Sequence, residues 1–479
     1  MNTRSRDRAP VIAAVLVSVA LVAGACSSAA TTAPTLAPAT PTPASSVAAS
    51  PAPASPSAST SAAPASSGAQ AACPNMPTQP ITLTYWEASG LYLSDAGVTQ
   101  LDTEFMAQYP NVKLVRVAKS FADITSTERL QASGPQPPDI LETNAGYVLL
   151  GPLVKAGLVQ PLDKFASTFG WNTRFSAPVL NEFRFSSDGS TWGSQNLYAV
   201  PPAASFVGLF YNTTLLDQLG IQVPTTWEQF SSSLAAAKKA GIVPIAAGIQ
   251  DGWPAVQMFT TSQNLITPTD QINNFEFHVP GATFNTPENV KAAQAALQLV
   301  TDGDYSSGFQ GMTAQAAIDQ FNAGKALYYI QGTYFGGSIY KVLGDKAGMT
   351  LVPPMSGGPL SVTGGPGLAW AIASKSPNAD AAACYIDWRT GQHASDLYAA
   401  EGGLPAMNYT YTGTSAYTKS VFAAWAQANA TNALVPYLDF ATPNLLTVLT
   451  STIQELLGSK ITPDQFVQQV QQAYAQFKP

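Results

Sequence analysis

Between residues 197 and 230 the hydrophobic pattern changes character several times, and the predicted elements on either side are arranged around those changes. An apolar approach, Leu197-Tyr-Ala-Val200, is broken by Pro201 and Pro202, which fix φ and lack the N–H that strand pairing needs. A nearly continuous apolar run, Phe206-Val-Gly-Leu-Phe-Tyr211, follows and predicts a strand covered on both faces. Asn212 and Thr213 are capping residues for a short helix over 215–219, which Gly220 ends. Thr225 and Glu228 have capping-box spacing at the start of a long helix toward 240. A strand, a proline break and a new helical region predict a chain passing between two lobes.

Upstream, Ile81-Thr-Leu-Thr-Tyr-Trp86 is rich in β-branched and aromatic residues and predicts the first strand. A helix over 96–109, a strand over 112–117, a helix over 124–132 and a strand opening at Pro137-Pro-Asp-Ile-Leu141 continue the alternation. That βαβα order predicts a mainly parallel sheet with right-handed crossovers. Ligands of such sheets bind beyond the carboxyl ends of the strands, which places Glu87, Ser89 and Asn144 on one rim. Loop capping or solvation is the plain alternative for each. The stretch 171–192 has no regular pattern to read.

Downstream of the first crossing, a helix over 226–240 leads to a short strand at 244–247. Gln250-Asp251-Gly-Trp253-Pro254 then opens a helix over 255–264. Asp251 and Trp253 thus stand at a strand-to-helix turn, where an indole face suits the C–H-rich face of a pyranose as well as a core. Amphipathic helices follow over 287–301 and 314–323, and a strand over 324–330 ends in Gln331-Gly-Thr333-Tyr334. This Gly-rich end is no phosphate loop, since Asp319 occupies the position where the first glycine is required. Proline and glycine in 351–367 predict a second crossing, with Gly364, Gly365 and Gly367 permitting close backbone approach to a ligand. The chain returns as a strand over 368–373, and Ser376-Pro377 opens a helix through 388 as cap and first residue. Gly402-Gly-Leu-Pro405 predicts a third crossing, and the rest is helical.

The order Tyr198-Ala-Val-Pro201, Gly208-Leu-Phe-Tyr-Asn212 and Leu219-Gly-Ile-x-Val-Pro-x-Thr-Trp-Glu-x-Phe230 resembles the extracellular solute-binding proteins of sugar ABC transporters, of the maltose-binding-protein type. The similarity extends from about Ile81 to the C terminus. It implies an α/β, two-lobed periplasmic-binding-protein-like fold of type II, with three interlobe crossings and a ligand cleft. Lobe one would comprise 80–203 and 357–402, and lobe two 204–356 and 403–479. Relatives offer a polar side chain at Asn144 and a stacking aromatic at Tyr334, and Pro436-Tyr437-Leu-Asp-Phe440 matches a further aromatic contact. With Glu87, Ser89, Ser205, Asp251, Trp253, Thr333 and Gly365, these residues form the expected ligand set. The implied partners are a mono- or oligosaccharide and the membrane permease subunits of an importer; the protein would be a monomer without cofactor.

The chain's start fits export. Arg4, Arg6 and Arg8 precede an apolar run over 11–22 and then Ala-Gly-Ala-Cys26, a signal-peptide layout too short to span comfortably. Cys26 resembles a lipobox cysteine, which implies a lipid anchor on the outer face of the cytoplasmic membrane and a signal peptide over 1–25. The lipobox pattern favours Leu where Ala23 stands, and plain secretion with cleavage near Ala25 is the alternative. From 26 to 79 the chain is almost entirely Ala, Pro, Ser and Thr, which predicts a disordered, semi-stiff tether. If Cys26 carries lipid, Cys73 and Cys384 remain as a candidate disulfide, with two separate thiols as the alternative.

Composition narrows the classes. A net charge of −7 without a basic run argues against nucleic acid. The two histidines, His278 and His393, have no local motif, and neither HExxH nor GxSxG occurs, so no metal site is expected. A glycan-active enzyme would need two carboxylates, for which Glu87 with Asp139 or Asp251 are the candidates. A binder of charged peptides or polyamines would need several charged cleft side chains.

Overall fold

The computed structural model describes residues 73–88, 91–355 and 357–479. The predicted signal peptide, Cys26, most of the tether and Ser89 lie outside the described residues.

Among the described residues twelve strands run, in chain order, as β1 Ile81–Ala88, β2 Val112–Lys119, β3 Ile140–Thr143, β4 Arg184–Phe185, β5 Asn196–Leu197, β6 Ala204–Asn212, β7 Val243–Ala246, β8 Ala326–Gly332, β9 Ala347–Thr350, β10 Val362–Pro366, β11 Ala369–Ile372 and β12 Leu434–Val435. The first sheet has the order β11-β3-β1-β2, parallel except for the antiparallel β11. The second has the order β12-β10-β6-β8-β7, with β9 pairing the far end of β6. β4 and β5 form a small hairpin. The predicted two-lobed α/β architecture is therefore present, with helices packed on both sheets.

β6 is the spine of the second sheet. Every residue but Tyr211 is buried, as its unbroken apolar sequence requires. Gly208 lets Thr350 of β9 lie close, since a Cβ there would come within 2.9 Å of the Thr350 carbonyl. Asn212 caps the helix Thr213–Leu219 by accepting the N–H of Leu215, and Gly220 closes it in a left-handed conformation. The next cap is shifted by one residue from the expected pair. Thr226 accepts from Gln229 N–H, and the Gln229 side chain accepts from Thr225 N–H at 2.8 Å.

Two further expectations are corrected. The helix predicted from Ser376-Pro377 begins instead at Ala379 and runs to Arg389. Ser376 is diverted, because its hydroxyl donates to Asp139 Oδ1 at 2.6 Å. The lobe boundary expected at 356/357 also moves. β10 pairs β6 in the second sheet, and the chain re-enters the first sheet only at β11. Gly364 is used for close approach within the sheet, since a Cβ there would stand 2.6 Å from Phe206 Cβ.

Three segments run between the sheets and bind one another. Gly367 N–H donates to Ala203 O and Ala204 N–H to Leu404 O, both at 2.8 Å, and Val200 bridges Trp370. The stretch that resisted sequence reading lies beside them. Trp171 Nε1 and Arg174 both donate to Asp387, at 2.9 and 2.7 Å, and Trp192 meets Phe277 with ring centroids 4.6 Å apart.

Cys73 is joined to Cys384, which is fully buried, with Cα atoms 5.7 Å apart. The link ties the start of the described chain to the helix behind β1. Replacing both (Cys73→Ser with Cys384→Ala) should lower unfolding free energy by about 2–4 kcal/mol, read by calorimetry; an unchanged melting profile would contradict a structural role.

Burial in the first lobe also predicts a pH dependence. Glu128 is 1 % exposed, and burial holds its carboxyl well above the usual range, with Glu142 adding to the effect. As pH rises from about 4.5, the unfolded carboxyl releases its proton while the folded one keeps it, and stability falls by at most about 1.4 kcal/mol per pH unit. Glu128→Gln should therefore match the parent near pH 4 and exceed it at pH 7 in urea denaturation; a gap that does not widen with pH would count against this.

Candidate functional site

A cavity of about 420 Å³ opens where the carboxyl ends of the first sheet face the second. Asn144, Ser205, Asp251, Trp253, Tyr334 and Tyr437 of the predicted set line it together. They come from both lobes and from the first crossing, so distant parts of the sequence converge as the topology requires.

The aromatic wall is built at two strand-to-helix turns. Trp253 and Tyr334 are half-buried, their centroids 5.8 Å apart and their planes 70° to each other. Phe335 backs both, 5.8 Å from Trp253 and 5.0 Å from Tyr334. The Tyr334 hydroxyl donates to Gln331 Oε1 at 2.6 Å, which fixes the ring. Ser205 and Tyr437 share a hydrogen bond of 2.8 Å between their hydroxyls. Burial pushes the phenols of Tyr334 and Tyr437 far above their ordinary range, so both remain hydrogen-bond donors at any physiological pH. Asp251 is exposed, and its Oδ2 accepts the N–H of Ala314 at 2.7 Å, at the start of the helix Ala314–Asn322.

The remaining predicted residues go elsewhere. Glu87 is 5 % exposed and does not line the cavity; its oxygens pair with Arg389 Nη2 and Arg116 Nε, each at 2.8 Å. Arg389 is wholly buried, donates to the Tyr385 hydroxyl at 2.7 Å and lies 4.5 Å over the Trp370 ring. Beside it, burial and the Glu87 charge raise Glu142 to about 8. Tyr85 and Glu87 share a face of β1 by the period-two rule, and that face looks toward the helix carrying Arg389. Thr333 is buried, and its hydroxyl accepts Phe206 N–H at 3.2 Å. Gly365 lies on the second crossing, where a Cβ would stand 2.5 Å from Glu182 Oε1. It borders a separate groove of about 940 Å³ lined by Trp192, Phe277, Phe422 and Trp425, not the cleft. Asp139 is held by the Thr84 and Ser376 hydroxyls and does not line the cavity.

Several lining residues escaped sequence reasoning. Tyr92 is a non-glycine residue at φ 62°, held there by its neighbour Ser94, whose N–H and hydroxyl both donate to Glu401 at 2.7 and 2.9 Å. Its N–H reaches across the cavity to Tyr334 O at 3.4 Å, and its hydroxyl accepts Leu368 N–H. Gln257 and Asp439 complete the polar lining. Asp439 follows Tyr437 by two residues, which was the one available signal. Among the described residues no group of histidine, cysteine and acidic side chains is placed to hold a metal, and no helix is long and apolar enough to cross a membrane.

The family model for bacterial extracellular solute-binding proteins matches residues 91–392. The multiple sugar-binding protein of Streptococcus mutans is 26 % identical over 222 residues, covering 44 % of this chain and 51 % of that protein. A probable sugar-binding periplasmic protein of Mesorhizobium japonicum is 26 % identical over 221 residues, 46 % of this chain and 49 % of its own. The chain thus spans about half the length of these curated relatives. Among solved structures, a chitin oligosaccharide binding protein superposes with a TM-score of 0.72 at 21 % identity, covering 83 % of this chain and 98 % of that one. A protein studied for xylan utilization by the thermophilic bacterium Caldanaerobius polysaccharolyticus gives 0.72 at 23 %, covering 82 % and 100 %. At these identities the superpositions establish the fold, and the family model establishes the kinship: the chain belongs to the bacterial extracellular solute-binding proteins.

Proposed function

We propose that this protein captures a mono- or oligosaccharide in the interlobe cleft and delivers it to the permease subunits of an ABC importer. The observation that carries the reading is the pairing of aromatic faces with uncharged donors from both lobes: Trp253 and Tyr334 against Asn144, Ser205 and Tyr437. Sugar hydroxyls leave water only where hydrogen bonds are regained, since an unmade one costs about 1–3 kcal/mol. Ring faces then supply buried area. The sugar-binding relatives support the same class of ligand.

Residues on both lobes would bring the lobes together by rotation at the three crossings, and the closed form would be the one presented to the permease. Cys26 would anchor the mature protein to the outer face of the cytoplasmic membrane as a lipoprotein, with the Ala/Pro/Ser/Thr tether as spacer. The cleft binds without turnover in this reading, as its relatives are binding proteins. A glycan-active enzyme would instead release product from an oligosaccharide, which incubation followed by chromatography detects.

A thermal-shift screen over mono- and oligosaccharides tests the class, because a ligand bound by the native state alone raises its melting temperature. With a hit in hand, Trp253→Ala or Tyr334→Ala should lose about 2–4 kcal/mol of binding, roughly thirty- to a thousand-fold in Kd by titration calorimetry. The unliganded variants should melt close to the parent, since both rings are half-buried. Early melting with normal affinity would place the rings in the core and the site elsewhere.

A further inference from the structure

The cleft has a charge balance that its aromatic lining does not explain. Asp251 and Asp439 line it, and among the described residues no lysine, arginine or histidine does. Asp251 is compensated, because it sits at the start of a helix whose N–H groups and dipole favour negative charge. Asp439, in the first turn of a short 3-10 helix, has its own backbone N–H instead. It lies in the turn Leu438–Ala441, is 6 % exposed, and pairs with no basic side chain among the described residues. Behind it stand more acids. Glu276, at the end of the helix Thr269–Glu276, is fully buried with neither carboxyl oxygen hydrogen-bonded, and its proton is held by burial and by the charges of Asp439 and Glu182.

Burial raises Asp439 to about 7, so near neutral pH its charge is readily called up by a cation and expensive without one. A sugar hydroxyl offers this carboxyl an ordinary hydrogen bond. An ammonium group offers a charge-assisted one and neutralises the carboxylate it meets. Phe440 and Tyr437 line the same cavity, and Trp253 and Tyr334 provide two faces set 70° apart for the ring that carries the group.

We infer that the ligand is a carbohydrate bearing a protonated amine, an amino sugar, whose nitrogen is received by Asp439 while its rings rest on Trp253 and Tyr334. This deepens the carbohydrate reading above and rests on it. Acetylating the nitrogen removes its charge and adds bulk, so an N-acetyl sugar is a poor substitute, as is the plain hexose. Asp251 is tied to the start of the helix Ala314–Asn322 and contributes little to this preference.

The test is titration calorimetry of the full mature protein at pH 7 with glucosamine, N-acetylglucosamine and glucose, their β-1,4 disaccharides, and the matching galacto monosaccharides. The amine form should bind about ten- to a hundred-fold more tightly than both counterparts. Asp439→Asn should bring the three within about threefold. Should Asp439→Asn fold poorly, the comparison of ligands on the parent protein decides alone. Equal affinity for amine and neutral forms overturns the inference and leaves the carbohydrate reading standing. Absence of binding across these sugars also overturns it, and the wider saccharide screen then decides the reading beneath.

Discussion

Gly367 N–H donates to Ala203 O and Ala204 N–H donates to Leu404 O, so the three segments that run between the sheets are held edge to edge. Each bond is worth only about 0.5–1.5 kcal/mol. Their effect is geometric. They fix where the first sheet ends and the second begins, and the cleft is the space left between those ends. Small residues make the approach possible: Ala203 and Ala204 on one segment, Gly364 to Gly367 on the next, Gly402 and Gly403 on the third. Such segments also concentrate backbone freedom where a rotation of one lobe against the other would need it.

Around that hinge the chain divides its polar residues between two kinds of work. Glu87, Arg389 and Asp102 are buried behind the first sheet, where they pair and tie β1 to the helix Ala379–Arg389. Removing one partner from such a set leaves an uncompensated charge and is strongly destabilising. Asn144, Ser205, Tyr437 and Asp439 instead face the cavity, where they remain available to a ligand. The same chemistry thus serves stability a few residues from where, in the proposed function, it would serve recognition.

Much of this was legible in the sequence, for stated reasons. The apolar run of β6 has only one stable environment, and Trp253 and Tyr334 sit beside Gly and Pro at strand ends, where a large ring is free to face a cleft. What failed was information about distance. Glu87 appeared to belong to the rim because its partner Arg389 lies 302 residues away. Gly364 and Gly365 were read as letting the backbone approach a ligand, whereas one lets β10 approach Phe206 and the other accommodates Glu182. Tyr92 is placed by a tie between Ser94 and Glu401, more than 300 residues apart, which no local pattern encodes. For Asp439 the sequence offers only its closeness to Tyr437, because its meaning comes from which side chains surround it, and only the folded molecule shows that.

The central claim is that ligand occupies the cavity shared by both lobes rather than the larger aromatic groove beside the crossings. Hydrogen exchange with and without a saturating saccharide measures this directly. Peptides covering Tyr92, Gln257, Tyr334 and Asp439 should all slow together, because they line one cavity from two lobes. Protection confined to peptides containing Phe422 and Trp425, with no change at Tyr334 and Asp439, would put the ligand in the groove and contradict the account.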